Sequence, residues 1–173
     1  MMDIGVNSFK VEGRMRSVYY IATVIYEYRN LFDKIKSNTL TENDILYSND
    51  VINRCANRES VPQFFDGQPT EKEQYYLGRD EVSNQDFLGI VLDSLEDKIL
   101  IEERNYFKVG DEVEFFGPGI ETFSYKIGEI LDEKMECIEV ARHPRMHVYL
   151  RHDKKLPKGT MMRLKVFDKK MYL

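Results

Sequence analysis

The chain has 173 residues, 42% of them hydrophobic and 32% charged, with a formal net charge of −5. That length holds one ordinary domain, or a short segment plus a compact one, and the composition is that of a folded chain rather than a low-complexity one. The negative balance excludes wholesale coating of nucleic acid or of an anionic membrane, while leaving room for a local basic patch. Two cysteines, Cys55 and Cys137, allow at most one disulfide, and a reduced pair is the simpler reading. No basic segment leads into an apolar run near Met1, and the most apolar stretch, residues 19–26, is far too short to span a bilayer. The expectation is a cytoplasmic protein with no membrane partner.

The chain opens on "GVNSFKVEGRMRS", residues 5–17. Phe9 and Val11 alternate there with Ser8, Lys10 and Glu12, the two-residue period of a strand. Gly13 breaks the alternation and Ser17 stands where a helix takes its N-cap. Strand, charged turn and helix make a βα unit, the building block of parallel sheets and barrels. Beyond Ser17, apolar residues recur at Ile21, Ile25, Tyr28, Phe32 and Ile35, with Val24 and Leu31 widening the stripe. That spacing predicts a helix with this face buried, ending at Ser37-Asn38. Thr41 followed by Asp44 predicts a second helix with a capping box, burying Ile45, Leu46, Val51 and Ile52.

Residues 57–86 lose all periodicity and read as a long connection, with Tyr75-Tyr76 as a candidate anchor. From residue 87 the texture is of short strands: "FLGIVLD", "KILIEER", "DEVEFF", "ETFSYKIGEIL", "ECIEVAR", "MHVYLR" and "TMMRLKVF". Turn chemistry such as Gly117-Pro118-Gly119 and Pro157-Lys158-Gly159 separates them. About seven strands at this spacing predict a small antiparallel barrel or sandwich, with Phe123, Tyr125 and Ile127 inward. The Phe115-Phe116 pair reads as core. The fold class is α+β, divided as 1–56, a connecting segment 57–86 and a β-domain 87–173.

Charge is unevenly spread along the β-domain. Residues 87–139 carry fourteen Asp or Glu against five Lys or Arg, whereas residues 140–173 carry ten Lys or Arg against two Asp. In "MHVYLRHDKK" the alternation sends Met146, Val148 and Leu150 to one face and His147, Tyr149 and Arg151 to the other. A face of His, Tyr and Arg combines phosphate contact with stacking on an unpaired base. With Arg142, His143 and Arg145 before it and Lys154 and Lys155 after it, this is the candidate RNA-binding surface. The alternative is a solvated basic face that guards an edge strand. A second candidate is Glu12 with Arg14, which at a barrel rim would touch substrate and otherwise form a salt-bridged turn. His143 and His147 lie on a turn and a strand where a four-residue spacing does not converge on a metal. No catalytic triad, metal set or phosphate loop stands out, so no residue is assigned a catalytic or metal-binding role.

"GVNSFKVEGRMRS" is similar to the block that closes the barrel of the collagenase-like peptidase family U32. "FLGIVLDS", "IEERNYFKVGDEVEFFGPG" and "IEVARHP" resemble that family's C-terminal domain in the same order. The resemblance implies that residues 9–16 are the last strand and loop of a TIM-like catalytic barrel that precedes this region. It also implies that the β-domain looks like the second domain of translation elongation factors. Glu12 and Arg14 then match the rim motif, and Arg142, His143 and Pro144 match the "ARHP" block. The family is named for proteolysis, including of collagen, while several members serve in hydroxylating the wobble uridine of tRNA with iron–sulfur chemistry. The cysteine signature of that chemistry is not in this sequence, so the cluster is implied for a full-length relative and no cofactor for this chain. Where relatives show Arg-x-aromatic-Thr-x-Gly-aromatic, this chain has "RESVPQFF", keeping Arg58, Phe64 and Phe65 but not the glycine.

Three readings of function follow: an RNA-facing recognition module of a tRNA-modifying protein, a substrate-positioning domain of a protease, or a structural or dimerisation domain. On the resemblance, the chain is inactive alone, and its partners are tRNA and a catalytic barrel or second family subunit.

Overall fold

A computed structural model describes residues 2–55, 64–65, 67–71 and 86–165. The chain falls into two compact units, Met1–Ile52 and Asn53–Leu173. The first contains a 3-10 turn (Met2–Ile4), an extended stretch, helix α1 (Val18–Lys36) and most of helix α2 (Glu42–Cys55). The expected connection at 57–86, including Arg58 and Tyr75-Tyr76, lies largely outside the described residues; Phe64 and Phe65 are described and are exposed.

The strand expected ahead of Gly13, in the strand and loop of residues 9–16, does not form. The stretch to residue 13 is extended but belongs to no ladder among the described residues. Strand structure needs a neighbour to satisfy its backbone donors and acceptors, and this unit supplies none. The alternation is expressed instead as packing on α1. Phe9 stacks on Phe32 with ring centroids 4.8 Å apart, and Gly13 sits so close to Ile21 that a Cβ would come within 2.9 Å of it.

Both helix starts behave as the sequence predicts. Ser17 Oγ accepts the Tyr20 N–H at 3.1 Å, and Asn38, with a left-handed φ of 57°, closes α1 as the Thr39 N–H returns to the Lys34 carbonyl at 2.9 Å. In the capping box, Thr41 Oγ1 accepts the Asp44 N–H at 3.3 Å while the Asp44 carboxylate accepts the Thr41 N–H at 2.9 Å. Lys34 reaches from the end of α1 to pair with Asp44.

Only part of the expected face of α1 is covered, with Val24 buried and Leu31 and Phe32 half-buried. Tyr19, Thr23, Val24 and Glu27 are buried, and Glu27 accepts a hydrogen bond from Ser48 Oγ of α2 at 3.0 Å. Ile21, Ile25, Tyr28 and Ile35 remain 38–48% exposed, and Ile45 and Leu46 of α2 are exposed as well. Val51 is buried as expected. Amphipathic spacing says that a stripe seeks cover; it does not say that two helices and one extended segment can supply it.

The second unit is an antiparallel sheet. Its strands are β1 (Phe87–Ser94), β2 (Lys98–Glu103), β3 (Phe107–Lys108), β4 (Glu112–Gly117), β5 (Ile120–Lys126), β6 (Ile130–Leu131), β7 (Cys137–Ile138), β8 (Val140–Ala141), β9 (His147–Arg151) and β10 (Met161–Leu164). The main sheet runs β5-β4-β10-β1-β2-β9-β6-β7, and β3 pairs with β8. All seven predicted strand segments are present. Two of them are divided, at residues 127–129 and at Glu139, and the short β3 was not foreseen from the sequence. The sheet curls: the Tyr125 hydroxyl of β5 donates to the Arg151 carbonyl at the end of β9, five places away in the strand order.

One core fills the curl. Leu88, Val91, Ile99, Ile101, Val113, Phe115, Val148, Leu150 and Met162 are buried in it, with Phe107 of β3 and Ala141 of β8. Burying one such large apolar side chain stabilises by about 1.5–3 kcal/mol. Gly89 of β1 is dictated by packing, since a Cβ would lie 2.5 Å from Ile101 Cγ2. Arg163 of β10 lies directly opposite Glu114 of β4. The two form a buried ion pair at 3.0 Å, with the guanidinium 4.4 Å above the Phe116 ring.

Arg163→Met should leave Glu114 buried without its countercharge and cost about 3–5 kcal/mol in urea unfolding, and adding Glu114→Leu should recover most of it. In the first unit, hydrogen bonds from Lys34 and then Thr41 hold the Asp44 carboxyl down to about 2, from 3.8. A lowered folded-state value means stability that is present above about pH 4 and lost as pH falls towards 2. Helical thermal melts across that window should show the loss, and Asp44→Asn should flatten it.

Candidate nucleic-acid interface

β9 places its side chains as the alternation predicts. Val148 and Leu150 are fully buried, while His147, Tyr149 and Arg151 face outward. Strand pairing then sets acids among them. In the β2–β9 register His147 lies opposite Glu102, Tyr149 opposite Leu100 and Arg151 opposite Lys98, and β6 flanks β9 on its other side.

The outward cations are mostly compensated. The Arg151 guanidinium binds Glu129 Oε2 at 2.9 Å and also pairs with Asp97. That bond, followed by one from the Cys137 thiol at 3.4 Å, holds the Glu129 carboxyl below its usual range, and Glu129 in turn pushes the Cys137 thiol up. His147 lies 3.2 Å from Glu133 and 3.9 Å from Glu102, and Glu102 also pairs with Arg104 and, at 3.5 Å, with Arg145. The acids that weight residues 87–139 are thus folded against the bases of residues 140–173.

The "ARHP" turn leading into β9 is built on β2. Arg145 adopts a left-handed φ of 65°; its N–H donates to the Glu103 carbonyl at 3.1 Å, and the Met146 N–H closes the turn on the His143 carbonyl at 2.8 Å. Beneath it the Glu103 side chain is buried, which pushes its carboxyl up. Arg142 and His143 stand exposed on this turn. At the far end of β9, Lys154 and Lys155 are exposed too. Among the described residues Arg142, Lys154 and Lys155 form no ion pair, so three of the predicted cations are uncompensated while Arg145, His147 and Arg151 are not.

A feature that the sequence does not single out lies beside Arg151. Phe123 and Tyr125 of β5, expected as inward core, are only half-buried, and His152 joins them across the curl of the sheet. Ring centroids lie 5.6 Å apart for Phe123–His152 and 5.7 Å for Tyr125–His152, with Phe115 behind them. They line a groove of about 790 Å3 between β5 and the segment that follows β9. Burial pushes the Tyr125 phenol up, so it stays neutral. No sequence signal marks this groove, because its two walls are more than twenty-five residues apart (Tyr125 to Arg151 is 26).

Glu12 and Arg14 lie in the other unit, in the geometry of a salt-bridged turn. The Arg14 N–H donates to Glu12 Oε1 at 3.2 Å, the Arg14 side chain lies 3.9 Å from the same carboxylate, and Lys10 lies 3.6 Å from it. All three are well exposed. Neither Cys55 nor Cys137 forms a disulfide among the described residues. Among the described residues no group of three or more His, Cys, Asp or Glu is placed to hold a metal ion. No helix among the described residues is long and apolar enough to cross a membrane.

Two family models match almost end to end along the chain: Peptidase family U32 over residues 1–75 and Peptidase family U32 C-terminal domain over residues 83–163. The chain belongs to peptidase family U32. Among curated proteins it is similar to tRNA hydroxylation protein P1 of Bacillus subtilis, 40% identical over 167 residues, which cover 94% of this chain and 39% of that protein. It is also similar to tRNA hydroxylation protein P of Haemophilus influenzae, 27% identical over 141 residues, or 80% of this chain and 30% of that one. The chain therefore spans well under half the length of the curated relatives it matches. A crystal structure of the C-terminal domain of a Geobacillus thermoleovorans U32-family protein is 38% identical, covering 48% of this chain and 96% of that one, with a TM-score of 0.45.

Proposed function

We propose that this U32 chain is the substrate-recognition part of a tRNA-hydroxylating protein, meeting RNA through cations at the two ends of β9. The observation that carries the reading is the pattern of compensation. Arg142, Lys154 and Lys155 stand exposed and, among the described residues, without ion pairs, while the arginines between them are tied to carboxylates. Free, solvated cations are the groups that neutralise phosphates and release counterions. The names of the curated relatives supply the tRNA context.

The first unit fits a docking role in the same reading. Its exposed stripe of Ile21, Ile25, Tyr28 and Ile35 is the kind of apolar surface that a partner covers, and we assign it to a catalytic barrel, from the same protein or from a second family subunit. In this reading any iron–sulfur chemistry belongs to that barrel, since the two cysteines of this sequence fall short of the four ligands such a cluster normally takes.

Titrating labelled tRNA at two salt concentrations tests the RNA reading. Binding should weaken steeply with salt, and substituting Arg142, Lys154 and Lys155 with Ala should reduce the logarithmic salt slope by about one for each phosphate left without its cation. Arg145→Ala and Arg151→Ala should cost less. Glu102→Gln, which releases Arg104, Arg145 and His147, should tighten binding. Salt-insensitive binding, or none, overturns the reading.

A further inference from the structure

The groove walled by β5 and the segment after β9 has the parts of a nucleotide site, and no part of the proposed charge-based recognition uses its rings. At about 790 Å3 it falls within the range of small-ligand pockets. Its floor is aromatic. Phe123, Tyr125 and His152 meet at interplanar angles of 39° and 55° about the histidine, so the rings form a concave platform rather than a closed stack. A platform of partly exposed rings offers π faces to any planar base.

The rim supplies the complementary chemistry. Lys154 and Lys155 line it and pair with no described acid, which leaves them for a phosphate. Asp153 and Glu121 stand on the same rim, so the groove is not simply cationic and does not suit a bare polyanion. A carboxylate beside the platform suits a ribose, whose 2′-hydroxyl needs an acceptor. The His152 ring is held in place by its own segment, with Nδ1 2.6 Å from the Lys154 carbonyl, while its Nε2 has no hydrogen-bond partner among the described residues.

We propose that this groove holds one unpaired ribonucleotide of a bound RNA, with the base on the Phe123–Tyr125–His152 platform, the phosphate at Lys154 and Lys155, and the 2′-hydroxyl at Asp153. The inference rests on the RNA-facing reading above and adds to it a base-binding site distinct from the cations at the start of β9. It implies that the domain prefers a single-stranded loop to a duplex, because a paired base cannot enter.

The test uses the full chain and a short single-stranded RNA carrying one 2-aminopurine, whose fluorescence falls when the base stacks. Binding should quench the probe. His152→Leu and Phe123→Leu should each weaken binding about tenfold and remove the quenching, with the salt slope unchanged. The same sequence as DNA should bind several-fold more weakly, and Asp153→Asn should narrow that gap. Far-UV melts establish that the variants fold; His152 lies outside the strands, so His152→Leu decides the matter if Phe123→Leu does not fold. Salt-sensitive RNA binding whose affinity and quenching both survive the ring substitutions overturns the groove while leaving the charge-based reading intact. Equal binding of RNA and DNA overturns the ribose contact. Absence of salt-sensitive RNA binding overturns both proposals together.

Discussion

β10 pairs with β1 on one side and with β4 on the other, so the last strand of the described sheet is what joins its first hairpin to its second. Its register is marked by charge as well as by shape. Arg163 and Glu114 lie directly opposite each other, both nearly inaccessible, with Phe116 beneath the guanidinium. A slip of one residue would turn Met162 out of the core and Arg163 into it, separating a buried cation from its directly opposed carboxylate. The curl that brings β5 to the end of β9, and with it the ring-lined groove, requires this central seam to be in place.

The same sheet explains why the chain can be acidic overall and still present cations. β2 and β6 flank β9, and the acids at or beside them reach the outward side chains of β9 and its turn: Glu102, Glu129 and Asp97 against Arg145, His147 and Arg151. Exposed pairs of this kind contribute little to stability. Their larger effect is to silence some cations and leave others. The uncompensated cations are thereby concentrated at the ends of the strand, next to the ring-lined groove, instead of being spread along it.

The first unit shows the opposite condition, an element whose apolar face exceeds what its own unit can cover. α1 turns Thr23 and Glu27 toward α2, where Ser48 satisfies a carboxylate oxygen, and leaves the longer hydrophobic stripe to Phe9, Gly13 and solvent. Burying polar groups on one side while exposing apolar ones on the other is unfavourable for an isolated helix pair, and it is the physical reason for assigning that face to a partner.

Local chemistry was legible in the sequence. Ser17 and the Thr41–Asp44 box set the helix starts, Asn38 set a helix end, short strand-like segments between turn residues marked β1, β2, β4 and β10, and two-residue alternation marked β5 and the outward face of β9. These depend on neighbours a few residues away, and the chain carries that information directly. What only the tertiary structure decided were the matters that depend on distant partners: that residues 9–13 join no ladder among the described residues, that the stripe of α1 is left largely exposed, that Glu102, Glu129 and Asp97 neutralise Arg145, His147 and Arg151 but not the rest of the predicted basic face, and that His152 meets Phe123 and Tyr125 in a groove. A residue type and its spacing state what a side chain needs; which group meets that need is settled by strand order and curl, and those follow from packing across the whole sheet.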